Sequence, residues 1–563
     1  MNRFLAVATA ALVLLGNTRS HALVVRDAEG KPARGCGVEH LATWEPMAKG
    51  GRTAQRPTRQ VDYRSPYGNR MFMFHYNTTG SQAISTADAD TNGVPDWIDT
   101  AAWVADSVLE AYRQLGFHAS LGDNGEGGGT QYDIYCSNLT NFYGWAHEPR
   151  DQGGYLEIDN DFAENCYEAK GYDALRVTLA HEMFHAVQFT YSPGAFPAWW
   201  EEMTATFMED VMYDNVNDYY QYLQYDPVSF TDPIYRDPSV GLSYWGAVHQ
   251  YSAAVFLKFL WERFGRDVAI TAIRYTFERN ASDVAPIVSI LATTINMPMK
   301  DLLAEFWVWS YFTGDRARAS QFFKEAQFYR PGPLDTVSYK TAADRATIRN
   351  LATIGTASGQ VTAGFLGAQL LRIVPDGSPG GFRAYLDPHG KKWSWLVAVA
   401  RPESVYVFEP SVINQGTGEQ EITISGSFWQ DAQDIVLVGA NGETFGNSIP
   451  FSYRIAYDVT LDVAQSPALP SRTVLGQNAP NPFNPSTTIP ISLERRTTVD
   501  LAIYDATGRV VRTLLRGGSL DAGEHRFTWD GATDAGQSAG AGVYIVELRT
   551  PSVRQARRMV LVR

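Results

Sequence analysis

The chain has 563 residues, too many for one hydrophobic core, so roughly three or four units of about 100 to 200 residues are expected. With 47 basic against 61 acidic residues the formal charge is −14, which argues against a nucleic-acid or anionic-membrane partner, since both need clustered Lys and Arg. The balance suits a solvent-facing protein.

The first 22 residues, MNRFLAVATAALVLLGNTRSHA, combine a basic start, an apolar run and a small-x-small ending at Ser20-His21-Ala22. They read as a signal peptide over 1–22, cut after Ala22. The apolar run is too short for a membrane anchor, and no later segment is long and apolar enough to make a transmembrane helix. Export brings the three cysteines, Cys36, Cys136 and Cys166, into an oxidising compartment, where one disulfide with one thiol left over is expected. Cys136 and Cys166 flank a strand region and are the first candidate pair. None lies near an activating histidine motif, so a nucleophilic cysteine is not expected.

Residues 23–60 are rich in Arg, Gly and Pro and read as an extended arm or a pro-segment. From 61 to 335 the pattern is α+β: strand-like VDYRSPYGNRMFMFHYNTTG, helical WIDTAAWVADSVLEAYRQLGF, short strands at TQYDIYCSN and GGYLEIDNDF, then helices from 172 to 330. Residues 340–466 carry short alternating runs such as WLVAVA and DIVLVGA, the texture of a β-sandwich. A proline-rich linker opens 467–563, and short strands follow it to the end.

Within the first unit, DADTNGVPDWID places Asp88, Asp90, Asn92, Gly93, Asp96 and Asp99 at positions 1, 3, 5, 6, 9 and 12 of an EF-hand-type loop. Oxygen ligands at those positions suit Ca²⁺, although position 12 is Asp rather than the longer Glu. The flanks do not form an evident helix pair, so a calcium loop without a true EF-hand is expected. The competing reading is an Asx-rich turn capping a helix that begins near Asp96.

Residues 181–185 read HEMFH. On a helix His181 and His185 lie four apart on one face and can present two imidazoles to one ion, with Glu182 lining the same cleft. Leu175, Leu179, Met183 and Val187 recur at helical spacing beside them. Chance would produce this pattern only ~0.01 times in such a chain. A catalytic zinc site needs a third protein ligand. WWEEMTATFMED supplies candidates on a helix starting near Pro197, where Glu202, Ala205 and Glu209 share a face and the small Ala205 permits close approach.

Trp199, Glu202, Ala205 and Glu209 resemble the W-x-x-E-x-x-A-x-x-x-E segment of the gluzincin metallopeptidases. The resemblance implies that Glu202, rather than Glu201, is the third zinc ligand, with Glu201 a solvated bystander. It implies Glu209 as outer support for a ligand histidine, as in the aminopeptidase branch, while Thr206 departs from the aspartate of the thermolysin-like branch. Glu182 is then the general base. A later Tyr or His would serve the developing oxyanion, with Tyr244, His249 and Tyr251 on offer and Tyr251 most like the aminopeptidase tyrosine. Gluzincins offer the substrate an edge strand, and GGYLEIDNDF is the expected one.

The tail, with NAPNPFNPSTTIPISL, VDLAIYDATGRVVRTLL and AGVYIVELRT, resembles FlgD-like, immunoglobulin-like domains that end secreted bacterial proteins and serve some of them as type IX sorting signals. Gly508, Gly531 and Gly542 are expected at tight turns. The whole order also resembles secreted metalloproteases that join such a unit to such a tail. The expectation is a multidomain zinc peptidase acting on protein or peptide substrates, with Ca²⁺ as a possible second metal and secretion machinery or the cell surface as partner of the tail. An inert adhesin or carbohydrate-binding protein, and an exopeptidase on the same scaffold, are the alternatives.

Overall fold

The structure, a computed structural model, describes residues 56–562 apart from 69, 123–124, 140–141, 148–153, 164–167, 193, 224–233, 236, 247, 319–320, 330–346, 349–355, 376, 403, 447, 462–472, 494–496, 521–522 and 552. The leader, Cys36 and Cys166 lie outside the described residues. Cys136 is a buried free thiol, and burial pushes its pKa up to about 12, so it is not a reactive thiolate.

Five strands open the first unit: β1 Val61–Arg64, β2 Phe72–Tyr76, β3 Tyr132–Ser137, β4 Gly144–His147 and β5 Tyr155–Asp159. Their order is β1-β2-β3-β5-β4, parallel where β3 meets β2 and β5, antiparallel at both edges. Strand alternation divides the sheet chemically. Phe72, Phe74, Ile134, Leu156 and Ile158 point into a core shared with helix α1, Asp96–Gln114. The opposite face carries His75, Asp133, Tyr135 and Ser137, all buried despite their polarity. Two arginines preceding β1 cover it. Arg56 pairs with Asp133 and lies over the Tyr155 ring, while Arg59 bonds Ser137 and the Cys136 carbonyl. Residues 56–60 are thus part of the fold.

His75 bonds Asp62 at 2.7 Å and Asp133 at 3.1 Å. Burial opposes its charge, but these two hydrogen bonds outweigh it and raise its pKa. A raised histidine contributes stability that is full below its unfolded value of about 6.5 and lost as pH rises through the folded value. His75→Gln is therefore expected to flatten the decline of the thermal midpoint above about pH 6.5, as measured by melts across a pH series.

Nine helices follow in the described first unit, α1 included: α2 Gly171–Tyr191, α3 Ala198–Met212, α4 Tyr220–Leu223, α5 His249–Ser252, α6 Ala254–Phe264, α7 Arg266–Glu278, α8 Val284–Ile295 and α9 Met299–Tyr311. The stripe expected on α2 is real: Leu175, Leu179, Met183 and Val187 are all fully buried. At ~1.5 to 3 kcal/mol each, four such side chains hold α2 with on the order of 10 kcal/mol of apolar burial. Tyr112 of α1 donates its hydroxyl to Ala180 O at 2.7 Å, fixing α2 lengthwise. Among the described residues no single helix is long and apolar enough to cross a membrane.

A sandwich comes next, with sheets β11-β10-β14-β8-β6 and β12-β13-β9-β15-β7. Here β6 is Thr347–Ile348, β7 Thr356–Ala363, β8 Ala368–Ile373, β9 Gly381–Asp387, β10 Trp393–Ala400, β11 Val405–Phe408, β12 Ser411–Asn414, β13 Glu419–Ile424, β14 Asp434–Asn441 and β15 Ile449–Asp458. Trp395, Val397, Leu437, Phe382 and Phe451 fill its interior. The outer face of the first sheet is also apolar: Leu370, Leu396, Ala398, Val436 and Val438 join the core of the helical unit. They pack on α9, and Tyr311 donates to Asp434 at 2.6 Å.

The last unit pairs sheets β16-β17-β20 and β19-β18-β21-β22 around Leu475, Ile489, Leu501, Trp529 and Val546. Here β16 is Val474–Leu475, β17 Thr487–Leu493, β18 Thr497–Asp505, β19 Val510–Leu520, β20 Gly523–Trp529, β21 Gly542–Arg549 and β22 Arg554–Leu561. Gly508 and Gly531 take left-handed φ of 84° and 74°, as turn glycines do. Gly542 does not: it is the first residue of strand β21, Gly542–Arg549, and pairs with Leu561.

Candidate metal centre

Helices α2 and α3 pack side by side, with the fully buried Ala205 lying on α3 between Glu202 and Glu209. Pro197 precedes α3, and Trp200 ties it to α7 through Nε1 donating to Thr276 at 2.8 Å. Between the two helices three side-chain atoms converge: His181 Nε2, His185 Nε2 and Glu202 Oε2. The imidazole nitrogens are 3.1 Å apart and stand 3.2 and 3.4 Å from the carboxylate oxygen. Ligands about 2.0 to 2.1 Å from a tetrahedral Zn²⁺ are separated by about 3.3 Å, so the spacing fits that ion.

The protons sharpen the fit. His181 Nδ1 faces Glu209 Oε1 at 2.6 Å, and His185 Nδ1 faces Gln188 Oε1 at 2.8 Å. Gln188 is oriented by its own amide donors, which reach Glu201 O at 3.0 Å and Thr204 Oγ1 at 2.9 Å. Both Nδ1 atoms are therefore donors, and in the neutral rings both Nε2 atoms are lone pairs aimed at each other and at a carboxylate. Such a trio repels itself unless a cation lies at its centre. Without one, protons serve: burial opposes the charge on His181, yet hydrogen bonds with Glu202 and Glu209 lift its pKa well above the ordinary value. Burial likewise opposes ionisation of Glu202, but the two histidines outweigh it and hold its carboxyl well below the usual range.

Glu209 is buried, and burial pushes it up to about 7 against the pull of His181. It bonds His181 Nδ1, the position at which the gluzincin resemblance implies an outer support. Gln188 plays the same part for His185 and was not singled out from sequence, although its position three residues past His185 on the helix is a usable signal. Gln188→Leu removes that acceptor, and zinc affinity is expected to fall about 10- to 100-fold while the helix stays folded, as measured by competition with a chelating dye. Glu201, expected to be solvated, is half-buried.

Glu182 is buried on the same helix but is not one of the three converging donors. Burial raises its pKa, with His181 and His185 pulling the other way. Strand β4 passes directly over it: a Cβ at Gly144 would lie 2.9 Å from Glu182 Cγ and 2.8 Å from Thr178 Cγ2, so only glycine lets the backbone come this close. This corrects the expected edge strand. GGYLEIDNDF forms β5, which is interior, and the edge beside the site is β4. The short, half-buried GWAH carries little alternation to announce it.

Of the three oxyanion candidates, Tyr251 is beside the trio, its ring 6.2 Å from that of His181. Burial, with Glu202 and Glu182 adding to it, lifts its pKa well above the usual tyrosine value, so it remains a donor. His249 turns away and its Nε2 meets Gly241 O at 2.9 Å, and Tyr244 is exposed.

In the second predicted site, Asp88, Asp90 and Asp96 bring carboxylate oxygens within 4.8 Å of one another. Gly93 has φ of 89°, as the tight turn requires. Asp88 accepts from the backbone N–H of Asn92 and Gly93, and Asp96 from that of Ala89. Asn92 donates to Asp90 and to Asp99, and Asp99 also accepts from Tyr63. Asp96 and Asp99 fall in the first turn of α1, where carboxylates suit the helix dipole. A third acidic group, Asp210, Asp214 and Glu325, surrounds the Lys258 ammonium at 2.6, 3.3 and 3.2 Å and ties the end of α3 to α6.

Residues 485–552 match the FlgD Ig-like domain family. No curated protein matches the chain. Among solved structures, PorZ, an essential bacterial surface component of the type-IX secretion system of Porphyromonas gingivalis, is 19% identical over 20% of this chain and 14% of its own, with a TM-score of 0.13. Dimeric latent PorU from the same organism is 18% identical over 33% of this chain and 18% of its own, with a TM-score of 0.14. A DUF4785 family protein from Legionella pneumophila is 13% identical over 37% of this chain and 64% of its own, with a TM-score of 0.12. The chain spans under two thirds of each, and TM-scores of this size do not establish a shared overall fold.

Proposed function

We propose that the chain is a zinc-dependent peptidase of gluzincin type, exported and carried to or through the cell envelope by its C-terminal domain. The observation that carries the reading is the convergence of three lone-pair donors, His181 Nε2, His185 Nε2 and Glu202 Oε2, with both Nδ1 atoms already held by Glu209 and Gln188. One zinc ion would satisfy all three donors at once, which a proton shared by one pair does not.

Zn²⁺ held by these residues would supply a Lewis acid and lower the pKa of an attacking water toward about 7. Glu182, buried beside the trio with a raised pKa, takes the water's proton and delivers it to the leaving amine. Tyr251 keeps its hydroxyl proton and offers it to the developing oxyanion. β4, the outermost strand of its sheet among the described residues, would pair with an extended peptide and lay the scissile bond across the site. That use of the edge favours proteins or extended peptides as substrates.

The Asp88, Asp90 and Asp96 cluster is proposed to hold Ca²⁺ and to brace the start of α1 against β1. Both metals are tested together on the full chain. A strong chelator is expected to stop casein hydrolysis and lower the thermal midpoint, zinc alone to restore hydrolysis, and calcium to restore the remaining stability. Hydrolysis indifferent to chelation would refute the zinc assignment, and a midpoint indifferent to calcium the second.

A further inference from the structure

We infer that the β-sandwich is a positioning part of the hydrolytic site, its β7–β8 turn setting Tyr251 through Gly241 and His249. The inference rests on the peptidase reading and gives residues 356–458 a role in it.

Tyr251 sits on α5, a single turn that continues through Ala253 into α6, and contacts from other segments fix that turn further. His249 on the same turn is buried and its Nε2 meets Gly241 O at 2.9 Å. Ser252 Oγ accepts from Ile234 N at 2.8 Å, and the Tyr251 ring stacks on Tyr222 at 4.9 Å. Gly241 belongs to a strip, 238–242, laid against the sandwich by three backbone hydrogen bonds. Gly364 N donates to Ser239 O at 2.7 Å, Ala368 N to Pro238 O at 2.7 Å, and Leu242 N to Leu366 O at 3.3 Å.

The approach is too close for side chains. Gly241 has φ of 92°, and a Cβ there would collide with Phe365 O, while one at Gly367 would lie 2.7 Å from Ser239 O. The turn is itself fixed from within the sandwich. Buried Asn441 donates through Nδ2 to Gly364 O at 3.0 Å and through its backbone N to Gly367 O at 2.8 Å, and Phe365 N donates to Gly446 O at 2.9 Å. Hydrogen bonds thus run without a gap from the sandwich interior to the turn that carries Tyr251.

Gly367→Ala in the full chain forces the turn away from Ser239 without touching the metal ligands. The expected result is a kcat lowered between about 10- and 100-fold, with KM and zinc content little changed. Amide exchange is expected to rise at 248–252 but not at 181–185. His249→Gln, which keeps a donor for Gly241 O, should retain more activity than His249→Leu. Val397→Ala, a cavity in the sandwich core away from the turn, controls for lost stability and should leave kcat and exchange at 248–252 unchanged. Unchanged exchange at 248–252 in Gly367→Ala, or the same response in Val397→Ala, overturns the inference. Failure of the wild-type chain to bind zinc or cut casein would sink the peptidase reading instead, while the exchange comparison still decides the coupling.

Discussion

Glu182→Gln is expected to keep its zinc and lose hydrolysis by about 10²- to 10⁴-fold, the span a positioned general base contributes. The substitution preserves shape, and Glu182 is not among the converging donors, so the metal trio is undisturbed. Burial already disfavours its ionised form, so the amide should not lower stability. His185→Ala behaves differently. It removes one of three donors and leaves Gln188 Oε1 without its hydrogen bond from His185, so zinc and hydrolysis are lost together. Metal content and turnover measured on the same preparations separate the two residues. A Glu182→Gln chain that still cuts casein at the wild-type rate would remove the proposed base.

The second large effect concerns where the chain can be cut. A chain ending after residue 335 is expected to be insoluble or to bind hydrophobic dyes, because α9 would lose the sheet that covers it. Leu370, Leu396, Ala398, Val436 and Val438 share one core with Phe306 and Trp307. At ~1.5 to 3 kcal/mol for each larger side chain this is on the order of 10 kcal/mol, comparable to the whole stability of an ordinary domain. Ending the chain at residue 466 should be harmless to folding and hydrolysis, since among the described residues the C-terminal core is built from 475–561. That shorter chain should lose surface retention or export. Thermal melts, casein turnover and cell fractionation read the three outcomes, and a well-folded, active chain ending at 335 would contradict the shared core.

The α2–α3 pair was legible because its signals are local. Two histidines four apart and an apolar stripe at helical spacing place His181 and His185 with no knowledge of tertiary packing, while the choice of Glu202 and Glu209 on the second helix came from the gluzincin resemblance. The C-terminal sandwich was legible from its alternating strands and turn glycines. What escaped was set by contacts between distant segments. Strand β4 is four residues with a uniform half-buried pattern, so nothing in GWAH distinguishes an edge from a loop. Gln188 acts through a carbonyl whose orientation depends on Thr204, sixteen positions on. The double-faced apolar character of β8, β10 and β14 is visible as near-continuous runs, but the choice of α9 as partner is not. Gly241 looks like any turn glycine until the sandwich turn is placed against it.

In the proposed site three lone-pair donors, His181 Nε2, His185 Nε2 and Glu202 Oε2, hold one zinc ion. Native mass spectrometry of the folded chain, beside Glu202→Ala and His185→Ala, reads the metal stoichiometry. One tightly held zinc per chain in the wild type and none in either variant is the predicted result. A folded wild-type chain that stays metal-free after exposure to zinc, or variants that keep the ion, would contradict it.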